Sequence, residues 1–371
     1  MRLDRLRLAR TPGIGPVLYR RLMQRFGTAA LAMAALPEIT GRARTATPQI
    51  PSMADAEREI AGLRKLGGRM LIAEDDDYPW LLALLPDPPP VLSVLGDIAF
   101  FRLPAVALVG SRNASSNGRN LASRLAEDLA RAGHAVVSGM ARGIDAAAHD
   151  GALHAGATIA CVAGGLDHPY PAEHIPLQAR VAEHGCVVAE APLGTMPQAR
   201  HFPRRNRVIA GLSLGVVVIE AALRSGSLIT ARLAQEAGRE LFAVPGSPLD
   251  PRCHGTNALL RQGAHLVENV ADILANLPDH PHREGLSRDP MFARIAPQEG
   301  LAEPQIALET SASALDTVVS LLGPAPTLVD DLVRRCQLSA PEIRAALMDL
   351  ELAGQVEALP GSRFALLTQG R

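Results

Sequence analysis

Residues Val106 to Ala148 constrain the fold more than any other stretch of the chain. An apolar, β-branched run, Val106 to Val109, stops at Gly110 and turns through Ser111-Arg112-Asn113. A stretch of helical period follows from Arg119 to Ala132, with Leu121, Leu125 and Leu129 on one face, and Gly133 closes it. A second buried strand, Ala135 to Val137, then enters another turn, Ser138-Gly139-Met140-Ala141-Arg142-Gly143. The pattern is one β-turn-α-β unit, with glycines where a backbone must approach an anion closely.

That unit reads as a phosphate site. Backbone N–H groups of a Gly-containing turn, with the unpaired N–H groups of the next helix, form a concavity for anions, and Arg112 adds a forked donor. The dinucleotide fingerprint is absent, because Gly110 and Gly118 do not space as G-x-G-x-x-G. Nor does the second strand end on the acid that would hold a ribose hydroxyl. A Gly-rich turn that only closes a βα unit would look the same at this level.

From 105 to about 277 apolar β runs alternate with helical stretches, as in a parallel sheet with helices on both faces. After the opening unit the expected strands are 157–162, 186–189, 216–219, 241–244 and a short run at 265–267. Turn chemistry follows the first four: Gly164-Gly165, Glu190-Ala191-Pro192, Glu220 leading to Ser225-Gly226-Ser227, and Pro245-Gly246. In an open parallel sheet these carboxyl ends share one edge, where ligands bind. Ser225, Gly226 and Ser227 precede a helical stretch whose start offers N–H groups and hydroxyls to an oxyanion, or simply a Ser cap. Asp145 and His149 are four apart and can touch on the helix after Gly143. No nucleophile–base pair stands out.

The strongest polyanion signal is Arg200-His201-Phe202-Pro203-Arg204-Arg205-Asn206-Arg207, with four arginines, one histidine and no acid. Arginines can follow a phosphate backbone while a base stacks on Phe202, with Pro203 fixing a turn between them. A solvated basic loop with Phe202 folded into the core is the competing reading. The net charge of −1 excludes a global field for nucleic acid, so any basic surface is local. Cys161, Cys186, Cys253 and Cys336 are scattered without a C-x-x-C pair, which argues against a disulfide framework or a zinc site. Without a signal-peptide core or a membrane-length apolar run, the expected home is reducing and cytoplasmic.

Residues 1–62 read as a small helical domain whose Gly13-Ile14-Gly15 turn resembles a helix-hairpin-helix; residues 1–60 hold ten arginines against five acids. Residues 63–278 form the sheet domain, and 279–310 read as a linker rich in Pro, Gly and acids. In 311–371, helices at 314–322 and 328–336 precede a third opened by a capping box, Ser339 to Glu342. A hairpin turning at Pro360-Gly361 completes a winged-helix plan. These residues carry seven acids against five arginines, so a protein-contacting or regulatory role stands beside DNA binding.

Taken in order, Gly110-Ser111-Arg112, Ser138 to His149, Gly164 to Asp167, Tyr170-Pro171, Phe202 to Arg207, Ser225 to Thr230, Pro245-Gly246 and Gly255-Thr256-Asn257 resemble the DNA-processing protein A (DprA or Smf) family over roughly 70–275. The resemblance implies an extended Rossmann-like fold and a protein that binds single-stranded DNA without catalysis or cofactor. It implies a homodimer that loads the RecA recombinase during transformation. The family's phosphate turn falls on Gly110, Ser111 and Arg112, and its Phe-Pro-x-Arg-Asn-Arg segment on Phe202, Pro203, Arg205, Asn206 and Arg207. Arg200 and Arg204 join the expected DNA-binding set by charge; Gly139, Arg142, Gly143, Ser225, Gly226 and Ser227 join it as loop residues. The alternative is an enzyme on a related sheet, a nucleoside-monophosphate phosphoribohydrolase.

Overall fold

The structure, a computed structural model, describes residues 1–42, 48–156, 158–278, 312–323, 325–336, 338–352, 355–359 and 363–367. The expected linker at 279–310 and the expected Pro360-Gly361 turn lie outside the described residues. Two compact units form: residues 1–56 with the described residues from 312 onward, and residues 57–278.

The first unit begins with α1 (Arg2–Ala9), α2 (Pro16–Phe26), α3 (Ala29–Arg42) and the start of α4 (Met53–Lys65). Pro16 opens α2, where its missing N–H costs no hydrogen bond, and Gly27 closes it at φ 70°. Leu8, Ile14, Leu18, Leu22 and Leu36 form the core of these helices.

The second unit is built on β1 (Arg69–Ile72), β2 (Val91–Gly96), β3 (Ala105–Val109), β4 (Ala135–Ser138), β5 (Thr158–Val162), β6 (Cys186–Ala189), β7 (Gly215–Val218), β8 (Glu240–Ala243) and β9 (His265–Leu266). Their order in the sheet is β1-β2-β6-β5-β4-β3-β7-β8-β9. From β6 to β9 every pairing is parallel, and β1 and β2 extend the β6 edge antiparallel. The helices are α5 (Trp80–Ala83), α6 (Ser116–Arg131), α7 (Ile144–Leu153), α8 (Ile175–His184), α9 (His201–Leu212), α10 (Ser227–Glu236), α11 (His254–Arg261) and α12 (Val270–Leu274).

Strand β3 explains why its sequence is apolar throughout. Successive side chains point to opposite faces. Ala105, Ala107 and Val109 enter a core shared with Val208, Ile209, Ala231 and Ala234 of α9 and α10. Val106 and Leu108 enter a second core with Leu125 and Leu129 of α6 and Ile144 and Ala148 of α7. A side chain such as Leu108, fully buried, contributes about 1.5–3 kcal/mol.

Strand order grows outward from β3 in both directions, so the topology reverses between β3 and β7. The crevice past their carboxyl ends is where an open sheet of this kind holds a ligand.

One local expectation is corrected. Arg200 to Arg207 is not a loop turning at Pro203: it is the opening of α9, with Pro203 in its first turn. The first four N–H groups of a helix lack intrahelical partners, so proline costs nothing there.

The C-terminal part of the first unit holds α13 (Ala312–Leu321), β10 (Thr327–Leu328), α14 (Val329–Arg335), α15 (Ala340–Leu352), β11 (Val356–Leu359) and β12 (Arg363–Leu366). Its sheet order is β10-β12-β11. The capping box forms: Glu342 accepts from the Ser339 N–H and hydroxyl, each at 2.7 Å. The arrangement is that of a winged helix.

Candidate nucleic-acid interface

The turn after β3 is held from below. The Ile144 N–H donates to the Ser111 carbonyl at 3.2 Å, and the Asn113 N–H donates to the Ser111 hydroxyl at 3.1 Å. Gly143 makes this approach feasible: it sits at φ 78°, and a Cβ there would lie 2.2 Å from the Ser111 carbonyl oxygen. Gly143 therefore supports the Ser111-Arg112 turn from behind. Arg112 itself is exposed, its guanidinium 4.9 Å from the centroid of the Phe202 ring.

Two helix starts face the switch point, and they differ. At α6 the Ser115 hydroxyl accepts from the Gly118 N–H at 2.9 Å, and Glu220 from the end of β7 accepts the Ser115 N–H at 2.9 Å. Glu220 also accepts a hydrogen bond from the Ser115 hydroxyl and is only 7% exposed. The absence of a side chain at Gly118 leaves room for that carboxylate, since a Cβ there would lie 2.6 Å from it. The anion position at α6 is thus occupied by the chain's own acid. At α10 the cap is Gly226, with no side-chain cap bond and no acid in the first turn. Ser225 and Ser227 bring their hydroxyls within 2.6 Å of each other there. The first N–H groups of α10 turn back on the chain, Ser227 N–H to the Ser225 hydroxyl at 3.4 Å, Leu228 N–H to the Ser225 carbonyl at 3.1 Å and Ile229 N–H to the Gly226 carbonyl at 3.1 Å. This start therefore offers an external anion its helix dipole and two serine hydroxyls with no acid in the way.

Helix α9 sorts its arginines. Arg205 is 6% exposed and donates from Nη1 to the carbonyls of Gly139 and, at 2.9 Å, Cys161, at the ends of β4 and β5. Its Nε donates to Asn206 Oδ1 at 3.2 Å. Arg207 binds the Asp87 carbonyl and the Glu190 carboxylate. Arg200 and Arg204 remain exposed at the helix start. Arg142, on the neighbouring loop, forms a two-bond pair with Glu173 at 2.7 and 2.8 Å.

An open cleft of about 870 Å3 runs along this edge. Of the expected residues it is lined by Gly110, Ser111, Arg112, Phe202, Arg205, Asn206, Ser225, Gly226 and Ser227, whereas Gly139, Arg142, Gly143, Arg200, Arg204 and Arg207 lie outside the lining. Gly164 and Gly246 do not reach it either: a Cβ on the first would meet Pro197 and Thr195, and the second pairs with Asn257. Tyr170 and Arg224 join the lining from outside the expected binding set. Tyr170, 50% exposed, packs its ring edge-on to Phe202 at 5.8 Å, and Arg224 is exposed just before the start of α10. The Tyr-Pro pair was visible as a motif, and Arg224 adjoins the Ser-Gly-Ser turn.

The cleft lining carries Arg112, Arg205 and Arg224 against one acid, Asp145. Burial pushes the Asp145 carboxyl up from its usual range, opposed by Arg205 and by the N–H groups of Ala141 and Gly139. Asp145 and His149 do not pair. Asp145 Oδ2 accepts from Gly139 N at 3.1 Å and Ala141 N at 3.3 Å, whereas His149 Nδ1 meets the Thr158 hydroxyl at 2.8 Å. Burial drives the His149 imidazole down to about 3, so it is neutral and structural. Among the described residues no group of His, Cys, Asp and Glu is placed to hold a metal ion, and no helix is long and apolar enough to cross a membrane.

Residues 69–278 fit the family model of DNA recombination-mediator protein A, residues 1–62 the DprA-like N-terminal HHH domain, and residues 302–362 the DprA winged helix domain. Protein Smf of Synechocystis is 32% identical over 382 residues, covering 95% of each chain. The crystal structure of DNA processing protein A from Streptococcus pneumoniae superposes with a TM-score of 0.59 at 37% identity, over 68% of this chain and 83% of that one. DNA processing protein A from Helicobacter pylori, whose structure describes the single-stranded DNA binding mode of that protein, gives 0.51 at 33% identity, over 56% and 94%. The chain belongs to the DNA recombination-mediator protein A family, known as DprA or Smf.

Proposed function

We propose that the protein binds single-stranded DNA along the cleft at the carboxyl edge of its sheet, as a non-catalytic mediator. One observation carries this most: a cleft of about 870 Å3 combines the acid-free start of α10, the exposed Arg112 and the partly exposed aromatic pair Phe202 and Tyr170. Phosphates would sit at the Gly110-Ser111-Arg112 turn and at Ser225 to Ser227, with Arg224 beside them, while bases stack on the rings. The DNA-binding mode described for the Helicobacter pylori relative supports the same ligand. Arg200 and Arg204 extend the charged rim, and Gly139, Gly143, Arg205 and Arg207 act by shaping it.

The wider role we propose is delivery of incoming DNA to the RecA recombinase in transformation or general recombination, by a cytoplasmic homodimer that needs no cofactor. Against a phosphoribohydrolase stands the α6 start, which Glu220 already fills, so the place for a nucleotide phosphate on that helix is taken.

Fluorescence anisotropy of a labelled oligothymidylate across salt concentrations tests the cleft. Arg112→Ala should flatten the log–log salt slope by about 0.7. Phe202→Ala should cost about 1–3 kcal/mol with the slope unchanged. Unchanged binding in both variants refutes the assignment, and release of adenine from AMP would favour the enzyme instead.

A further inference from the structure

Within the first unit, the winged helix lies against the basic helix of the N-terminal module. Arg21 and Arg25 sit four apart on α2, on one face and about 6 Å apart along its axis. Each is held by an acid of α15. Arg21 Nη1 donates to Glu351 Oε2 at 2.6 Å, and Arg25 Nη1 donates to Asp349 Oδ1 at 3.1 Å. Asp349 has no exposed surface, and its Oδ2 has no partner among the described residues. Met348, on the same helix, is buried in the core of α1 to α3 beside Leu18 and Leu22. Arg21 also lies 5.8 Å from the centroid of the Phe364 ring on β12.

A carboxylate oxygen accepting from an arginine Nη1 is the intramolecular counterpart of a phosphate oxygen accepting from the same donor, because both are anionic oxygens on a charge-assisted bond. Here two carboxylates, spaced on one helix, occupy two arginines spaced on another. The contact also covers α15, the helix that a winged helix usually presents to DNA. Next to the covered face, Arg20 is exposed, and the backbone of the Gly13-Ile14-Gly15 turn is open, with no atom within 4 Å of where either glycine would carry a Cβ. Helix α2 itself carries three arginines, Arg20, Arg21 and Arg25, and no acid, in a chain of net charge −1.

We propose that the C-terminal winged helix is an internal DNA mimic: Asp349 and Glu351 occupy a second phosphate-binding face on α2, formed by Arg21 and Arg25, and their release exposes that face to the DNA backbone. The site is distinct from the cleft on the sheet edge, and of the cleft reading it borrows only the ligand. A docked tail keeps the second face silent, and an undocked tail offers two phosphate contacts of its own.

The test uses the full chain and a labelled oligothymidylate. Asp349→Asn with Glu351→Gln should tighten binding about tenfold at about 0.1 M salt and steepen the salt slope by about 1.4, the worth of two single-strand phosphate contacts. Adding Arg21→Ala and Arg25→Ala should abolish the gain. Arg112→Ala, introduced into both backgrounds, reports on the cleft alone, so loss of the cleft reading leaves the α2 gain readable. Hydrogen exchange on the unmodified chain avoids any folding defect of the variants: saturating oligothymidylate should accelerate exchange across residues 340–352. An unchanged slope in the double variant, a gain that survives without Arg21 and Arg25, or unaltered exchange in α15 would each overturn the proposal.

Discussion

Replacing Arg205 by Met should cost the fold far more than it costs DNA contact, although Arg205 sits in the most basic stretch of the chain. Its guanidinium is buried, bonded to the carbonyls of Gly139 and Cys161, and lies beside Asp145. Removing a buried charge from beside an opposite one costs at most the ~3–5 kcal/mol of a direct buried pair, most of it from the charge left behind. Asp145 limits that loss because burial has already raised its pKa, so it can take up a proton when the cation is gone. The lower end of the range, about 3 kcal/mol, is therefore expected, and for a unit of this size it lowers the melting temperature by about 6–12 °C. Thermal unfolding followed by circular dichroism reads the shift, and adding Asp145→Asn should recover part of it. In the same preparation below its melting temperature, the salt slope for oligothymidylate should stay that of the parent, because Arg205 gives no phosphate contact. A variant that melts with the parent yet binds with a slope flatter by about 0.7 would refute the reasoning and make Arg205 a phosphate ligand.

Two further perturbations probe the ground beneath the cleft. His149 is neutral when folded, with a pKa near 3 against 6.5 in the unfolded chain, so its contribution is fully present above pH 6.5 and fades as pH falls toward 3. Between pH 7 and pH 5 this amounts to about 2 kcal/mol of lost stability, and His149→Asn, which keeps a partner for Thr158, should remove that part of the pH dependence in urea unfolding; parallel curves for both proteins would contradict it. Glu220→Ala should empty the anion position at the start of α6, so that inorganic phosphate stabilises the variant by about 2.7 kcal/mol at a hundredfold excess over its dissociation constant and leaves the parent unmoved. Equal shifts in the two would mean that the carboxylate does not stand in for an anion.

The central sheet was legible because both of its faces are buried. Strands such as β3 and β6 read as unbroken apolar runs bounded by turns, and Cys186–Ala189 falls where expected. Strand β7 begins one residue earlier than its β-branched run implies, at Gly215, because backbone pairing to β3 and β8 decides its ends rather than composition. The Arg200 to Arg207 stretch was legible as charge and illegible as geometry. With Pro203 taken as a turn, its four arginines were equivalent; as the first two turns of α9 they are not. Helical spacing sends Arg205 into the sheet edge and Arg207 toward Asp87 and Glu190, and leaves Arg204 in solvent. No count of arginines carries that distinction, because it depends on the phase of the helix against a sheet assembled from distant segments. The salt links of Arg21 and Arg25 to α15 were invisible for the same reason, the partners standing 330 and 324 positions apart.

The missing dinucleotide fingerprint acquires a physical cause at Glu220. In a nucleotide-binding sheet of this topology, the first helix start after the switch-point strand takes a pyrophosphate, and its glycines let the ligand approach. Here Gly118 serves the same close approach, but the group approaching is the chain's own carboxylate, fixed by the N–H and hydroxyl of Ser115. An additional phosphate at that point would meet a negative charge that is 7% exposed and cannot turn away without giving up both bonds. In the binding we propose, external anions are left with the Gly110-Ser111-Arg112 turn and with the acid-free start of α10, which line one cleft together with Phe202 and Tyr170. In that reading, two separated phosphate positions beside a stacking surface suit consecutive nucleotides of a strand better than the paired phosphates of one cofactor, and the occupied helix start favours a polymer over a nucleotide.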